Sequence, residues 1–318
     1  YFGLVFFILK YFKSVNIKFI IFPALVVLAE FICGNLGYGF PWFSFSLIHS
    51  INVVGTSIVY FVGTYGLSYI TVIIFLFPFI FLLKKLNFFL AVYLILFLIF
   101  SICLISRNFD TKTISKNITV TIVQLNFKLN QHLTQKGMER KKNKIHSIIR
   151  NNKSDLIVFG ENNYPYLMND QSIKILQNNI NDNQSLVIGS SRSKKDKYYN
   201  SFYLITRDSS QIFDKQFLVP FGEFIPFRSL FSFMEFIAGT IDFSKGDGDR
   251  VLNLKNNINI LPVICYEIIY FFRLMDHNDT NMIVNLTNDA WFGSFSGPYQ
   301  HFYFTKLRAA EFNKPIVR

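Results

Sequence analysis

Between residues 19 and 83 the chain carries one acidic residue, Glu30, and no Lys or Arg; between 86 and 106 it carries no charge at all. Apolar stretches of about 20 residues are long enough to cross a bilayer as helices. The sequence therefore predicts full spans near 17–34, 66–83 and 87–105, with residues 1–9 read as the tail of an earlier span. Three such segments within 105 residues leave no polar face for a soluble helical domain. Their number and length also exclude a signal peptide. The first residue is not Met, so a piece lacking its start is expected.

Lysines set the expected orientation. Lys10, Lys13 and Lys18 precede the first full span, and Lys84 and Lys85 sit between the next two. Placing both clusters in the cytoplasm satisfies the positive-inside rule with two intervening crossings. Residues 35–65 then form an outer interfacial loop, rich in aromatics at Gly37-Tyr38-Gly39-Phe40-Pro41-Trp42-Phe43. The polypeptide after the last span emerges on the outer face. Glu30, a carboxylate within a span, is a functional candidate for that reason alone, with a helix-bonded structural acid as the alternative.

From Arg107 onward the composition changes to Lys, Asn, Asp and Ser between short apolar runs. The expected division is a helical membrane domain over 1–106 and an extracytoplasmic domain over 107–318. Strand-like runs at Thr119–Leu125, Leu156–Phe159, Ser185–Gly189, Asn200–Thr206, Ile258–Ile264 and Met282–Leu286 alternate with helix-like stretches, among them Ile173–Ile180 and Gln300–Asn313. That alternation predicts a layered α/β domain. The net charge of +12 comes without any fold signature for base contacts, so nucleic acid is not an expected partner. Attraction to anionic headgroups accounts for it equally well.

Cys265 ends the apolar run Ile258–Ile264 and is followed by Tyr266-Glu267; the other two cysteines, Cys33 and Cys103, lie in the membrane-like half. A strand delivering a thiol to a sheet edge is a common way to present a nucleophile, whereas a buried core cysteine is the plain alternative. Glu161 follows the strand Leu156–Phe159, and Lys215 precedes Phe217-Leu218-Val219-Pro220. A carboxylate, an ammonium and a thiol suffice for acyl transfer. The first takes the thiol proton, the second stabilises both the thiolate and the tetrahedral oxyanion, and the third attacks a carbonyl.

In this order, on strand–helix units, the three residues resemble the carbon–nitrogen hydrolase (nitrilase) superfamily. The strings Glu30 with Gly39-Phe40-Pro41-Trp42, Val219-Pro220-Phe221-Gly222-Glu223, Ile264-Cys265-Tyr266-Glu267, Asn285-Leu286-Thr287-Asn288-Asp289-Ala290-Trp291-Phe292-Gly293 and Arg308-Ala309-Ala310-Glu311 narrow the resemblance to its membrane branch, the apolipoprotein N-acyltransferases. The resemblance runs from about residue 20 to the end. It implies an α-β-β-α sandwich after several membrane helices, with Glu161 as general base, Cys265 as nucleophile and Lys215 at the oxyanion. The backbone N–H of Tyr266 would be a second oxyanion donor. Glu223 is similar to a family glutamate near the catalytic centre, bonded to the Lys or to Glu161. Tyr266 and Glu267 are expected to shape the entrance or position the acceptor, with packing and a strand-end salt bridge as alternatives. Asp289 and Trp291 are expected to wall the site. His301 reads as structural, and Arg308 with Glu311 as an ion pair on one helix face.

The same resemblance implies a phospholipid acyl donor, a diacylglyceryl-cysteine apolipoprotein acceptor, and no metal or other cofactor. The implied setting is the bacterial inner membrane with the catalytic domain on its periplasmic face, and a monomer is the default. Three features depart from the family pattern. Cys33 stands where the membrane motif carries arginine, no Trp occupies the region of Leu133, and the chain stops at Pro315-Ile316-Val317-Arg318 before the family's last strands and span. A membrane-tethered amidase and an inactive lipoprotein-binding relative are the competing readings. Intact Glu161, Lys215 and Cys265 count against the second, and the membrane half against the first.

Overall fold

The computed structural model describes residues 2–80, 86–109, 117–127, 134–235, 239–275 and 279–318. Lys84, Lys85 and Leu133, and the end of the span expected to reach residue 83, lie outside them. The helices are α1 Phe2–Leu9, α2 Val15–Asn35, α3 Val53–Phe75, α4 Phe77–Ile80, α5 Leu86–Phe109, α6 Gln135–Asn151, α7 Asp170–Gln177 and α8 Ser296–Phe312. The strands are β1 Val120–Val123, β2 Leu156–Phe159, β3 Ser185–Lys194, β4 Lys197–Ile205, β5 Ser210–Asp214, β6 Leu252–Leu254, β7 Ile258–Ile264, β8 Met282–Leu286 and β9 Ile316–Val317. Two compact units result. One comprises Tyr1–Thr113, Ile269–Phe271 and Tyr299–Asn313; the other comprises Ile114–Ile268, Phe272–Pro298 and Lys314–Arg318.

In the helical unit, Val15–Asn35 (mean hydropathy 2.2) and Val54–Phe79 (1.8) are long and apolar enough to cross a membrane, and Leu90–Ile105 is a shorter apolar helical stretch. The loop expected to reach residue 65 is helical from Val53, because Asn52 caps α3 by accepting the Gly55 N–H at 2.6 Å. The apolar run then continues that helix through the start expected at 66. Only residues 36–52 remain between α2 and α3, and they include a 3₁₀ turn at Phe45–His49.

Gly63 interrupts α3 with φ +68°, a left-handed conformation that glycine adopts without steric cost. A break of this kind frees backbone donors, which an apolar surrounding leaves without water. Glu311 of α8 answers it: Oε1 accepts the Thr64 N–H at 2.5 Å and the Thr64 hydroxyl at 2.9 Å. Arg308, one helical turn away, pairs with Glu311 and donates to Thr64 Oγ1 at 2.7 Å. The ion pair expected on one face of this helix is thus present, and it caps the second half of α3. Glu30 is buried in α2, where it accepts the Phe45 N–H at 2.9 Å and the Ser44 hydroxyl at 3.3 Å. It pins the start of the 3₁₀ turn to α2.

The second unit holds two sheets, ordered β1-β2-β3-β4-β5 and β6-β7-β8-β9. In the first, β1, β2 and β3 are parallel and β4 and β5 antiparallel; in the second, β7, β8 and β9 are parallel. Every residue of β2 and β8 is buried, as expected of parallel strands covered on both faces. Alternate residues Ile157, Phe159, Leu186, Ile188, Tyr203 and Ile205 form one core with Ile145 and Ile149 of α6 and Ile173 and Leu176 of α7. The period of two leaves Leu156, Val158, Val187 and Leu204 on the other face, also buried, and β4 packs there against β7. Helix, sheet and sheet make three layers of the expected sandwich, while residues Tyr299–Asn313 of α8 group with the helical unit. Strands β5, β6 and β9 had no counterpart in the sequence reading.

Candidate active site

Four chain segments deliver polar groups to one buried place in the second unit. Glu161 follows β2 after Gly160. The chain there passes so close to β3 that a Cβ on Gly189 would lie 2.7 Å from Glu161 Cα and 2.8 Å from Asn162 N. Only glycine tolerates that approach. Lys215 follows β5, where its N–H donates to the Asn200 carbonyl at 2.8 Å. Glu223 is returned to Lys215 by the tight turn 219–224, whose Phe221 has φ +59°. The Val219 N–H donates to Glu223 Oε2 at 2.9 Å and the Glu223 N–H to the Val219 carbonyl at 2.8 Å. Cys265 ends β7 and opens the 3₁₀ turn Cys265–Ile269 with φ +52°. A non-glycine residue in that region holds a strained turn of the kind that exposes a nucleophile at a strand end.

Lys215 Nζ lies 2.9 Å from Glu223 and 3.7 Å from Glu161 Oε1. Asn200 Nδ2 donates to both carboxylates, at 2.8 Å to Glu161 Oε1 and 2.9 Å to Glu223 Oε1. Glu161 Oε2 accepts the Asn288 N–H at 3.1 Å. The Cys265 thiol hydrogen-bonds the Glu161 carboxylate and also meets the Thr287 hydroxyl. Asn285 Nδ2 holds the Cys265 carbonyl at 3.3 Å. The segment after β8 therefore supports base and nucleophile together.

Burial raises the Glu161 carboxyl above the ordinary carboxylate range; the Lys215 charge pulls it back and the Glu223 charge adds to the rise. Burial works to lower Lys215, but the carboxylates of Glu223 and Glu161 outweigh it and hold the ammonium above its usual range. Burial, reinforced by the Glu161 charge, pushes the Cys265 thiol up to about 12 against the pull of Lys215. Lys215 favours the thiolate, as the sequence leads one to expect, but burial and the Glu161 charge outweigh it and favour the neutral thiol. The Glu161 carboxylate is the group within reach of the thiol proton. Among the described residues no group of three or more His, Cys, Asp or Glu side chains is placed to hold a metal ion.

Glu267 is fully buried: it pairs with Arg250 at 2.8 Å and accepts the N–H groups of Gln216 at 2.8 Å, Phe217 at 3.1 Å and Ile264 at 2.9 Å. It staples the segment after Lys215 to the strand before Cys265, with Arg250 stacked 4.6 Å from the Phe213 ring. The salt-bridge alternative is the one realised, because four donors surround the carboxylate. The Tyr266 side chain is buried as well. Trp291 is 72 % exposed in the 3₁₀ turn Asp289–Phe292, where Asp289 pairs with Arg318 at 2.5 Å. Glu30 and His301 belong to the helical unit, His301 buried with its ring 6.0 Å from that of Trp42. Asn200 and Arg250 carry no role in the sequence reading, and Thr287 enters it only within the string Asn285-Leu286-Thr287-Asn288. For Asn200 the only signal is a lone amide opening an apolar strand run.

The carbon–nitrogen hydrolase family pattern matches residues 119–318. The chain is 37 % identical over 180 residues to an apolipoprotein N-acyltransferase of Rhizobium leguminosarum bv. trifolii, which covers 52 % of this chain and 34 % of that protein. It is 31 % identical over 322 residues to the apolipoprotein N-acyltransferase of Rickettsia prowazekii, covering 94 % of this chain and 63 % of that protein. The chain therefore spans less than two thirds of the length of either relative. A solved CN-hydrolase superfamily protein from Xanthomonas campestris aligns with TM-score 0.45 and 13 % identity over 64 % of this chain and 77 % of its own. With the pattern spanning both sheets and the sites of Glu161, Lys215 and Cys265, the chain belongs to the carbon–nitrogen hydrolase family.

Proposed function

We propose that this chain is an apolipoprotein N-acyltransferase, moving the sn-1 acyl chain of a phospholipid through a Cys265 thioester to the α-amino group of a diacylglyceryl-cysteine. The observation that carries the reading is the convergence of Glu161, Lys215 and Cys265 in one buried cluster. The likeness to the Rickettsia enzyme extends it, since that alignment takes in the helical half as well as the catalytic one.

Glu161 accepts the thiol proton as Sγ attacks the ester carbonyl carbon. The oxyanion forms against Lys215 Nζ and the Tyr266 N–H. Collapse breaks the ester C–O bond, Glu161 returns the proton to the departing lysophospholipid oxygen, and the acyl group remains on sulfur. The acceptor amine then attacks the thioester while Glu161 takes its proton. Cleavage of the C–S bond gives the amide, and the thiol regains the proton from Glu161. No metal, redox centre or other cofactor enters either half.

In this reading the helical unit crosses the bacterial inner membrane several times and the catalytic domain works as a monomer on the periplasmic side. Two apolar helices, the charge-free 86–106 segment and the lysine distribution support that placement. Intact-protein mass spectrometry after incubation with a defined phospholipid in detergent tests the chemistry. A hydroxylamine-labile, acyl-sized mass increase absent from Cys265→Ala, and discharged by a diacylglyceryl-cysteine peptide, is the expected result. An adduct that persists in Cys265→Ala, or none on the wild-type chain, rejects the reading for this chain.

A further inference from the structure

Glu161 and Lys215 follow strand ends and Glu223 comes from the turn 219–224, and one residue bonds to all three. Asn200 lies in β4, between β3 and β5. Its Nδ2 donates to Glu161 at 2.8 Å and to Glu223 at 2.9 Å, and its carbonyl accepts the Lys215 N–H at 2.8 Å. The side chain is buried, and Oδ1 has no hydrogen-bond partner. An amide free to turn would place that oxygen where it could be satisfied. Flipping it here would set Oδ1 against two carboxylates, so the two acids fix its direction. We infer that Asn200 is a positioning residue of the active site, whose amide NH2 bridges Glu161 and Glu223 and holds the base ionised and turned toward Cys265.

The inference rests on the acyl-transfer reading only in taking Glu161 as the base. The bridge matters because the cluster is short of positive charge. Glu161 faces Lys215 from the end of β5, Glu223 from the turn 219–224, Cys265 from the end of β7 and the Asn288 N–H from the end of β8. One ammonium serves two carboxylates and sits closer to Glu223, by 2.9 Å against 3.7 Å. Without a donor between them the two acids repel, and Glu161, the more distant from the lysine, keeps a proton to higher pH. A protonated Glu161 cannot accept the thiol proton.

The test needs no acyl substrate, so its outcome is separable from that of the thioester experiment. The rate of Cys265 alkylation by iodoacetamide is followed against pH on the full chain, with the modified peptide read by mass spectrometry to distinguish Cys33 and Cys103. Asn200→Asp is isosteric and Asn200→Leu keeps the branching with a larger side chain, and native folding of each is checked by its melting transition. The acid-side midpoint of the wild-type profile should move up by about one pH unit in Asn200→Leu, the size of one lost charge-assisted hydrogen bond. It should move further in Asn200→Asp, which adds a third acid. An unmoved midpoint in whichever variant melts like wild type overturns the inference and leaves Asn200 a packing residue. If neither melts like wild type, Asn200→Ser is read instead: one hydroxyl serves one acid, so a smaller upward shift supports the bridge and no shift rejects it.

Discussion

In the helical unit, Glu311 engages both carboxylate oxygens with Thr64 and Arg308, so one anion meets one cation across a helix break. In the catalytic unit, Glu161 and Glu223 share the one ammonium of Lys215 and stand beside a thiol. Both clusters are buried, and both draw residues from distant parts of the chain. The first is balanced in charge, and its carboxylate is fully bonded to the groups it caps. The second has more acids than cations, so the protonation of each group depends on the others. Burial makes the first a clamp and the second a place where a proton can move. A third carboxylate, Glu267, sides with the clamps: Arg250 and three backbone donors consume it.

The comparison is broken most directly by removing the working groups. Cys265→Ala should abolish the acyl adduct outright, and Glu161→Gln should slow its formation by about 10²–10⁴-fold, the usual scale of a positioned general base. Lys215→Met should cost about 10²–10³-fold, as the loss of one oxyanion-stabilising group does. Single-turnover acylation followed by mass spectrometry measures all three. An adduct from Cys265→Ala, or wild-type rates in Glu161→Gln, would equate the cluster with a clamp.

Glu311→Ala tests the other side. Leaving Arg308 buried without its anion should destabilise the chain by about 3–5 kcal/mol, seen as a large drop in melting temperature in detergent. Glu267→Ala should fall in the same range, because Arg250 is buried beside it. Stability little changed in either variant would show that water reaches these pairs.

The pH dependence sharpens the contrast. The folded-state pKa of Glu161 is raised, so the ionised carboxylate, the base of the proposed reaction, appears only as pH climbs above the ordinary carboxylate range. The acid limb of the acylation rate should lie there and vanish in Glu161→Gln. Linkage gives the matching stability effect. Between the unfolded and folded pKa values the folded chain holds the extra proton, so the contribution of Glu161 to stability falls as pH rises through that window. Glu161→Gln should flatten that part of the stability profile. Trp291→Ala is the smallest change: with 72 % of the residue exposed, the melting free energy should stay within about 0.5 kcal/mol. A larger loss would mean that the indole packs against something.

The sequence by itself determined the apolar, charge-poor character of the first 106 residues, whose charges are Lys10, Lys13, Lys18, Glu30, Lys84 and Lys85, and the strands β2, β7 and β8. It also placed the strand ends that carry Glu161 and Cys265, and it singled out Lys215 without the strand β5 that delivers it. Hydrophobic periodicity and runs report burial along one element, and a polar residue that ends a buried run stands out on its own. Tertiary structure alone decided which polar groups meet. Asn200 lies 39 residues from Glu161 and Glu267 lies 51 from Gln216, and both partnerships follow from sheet order and turn geometry. The break at Gly63, with its cap supplied from 247 residues away, was likewise invisible in an apolar run that reads as continuous. Burial is written into local composition; the partner that makes a buried charge tolerable, or reactive, is set by the fold.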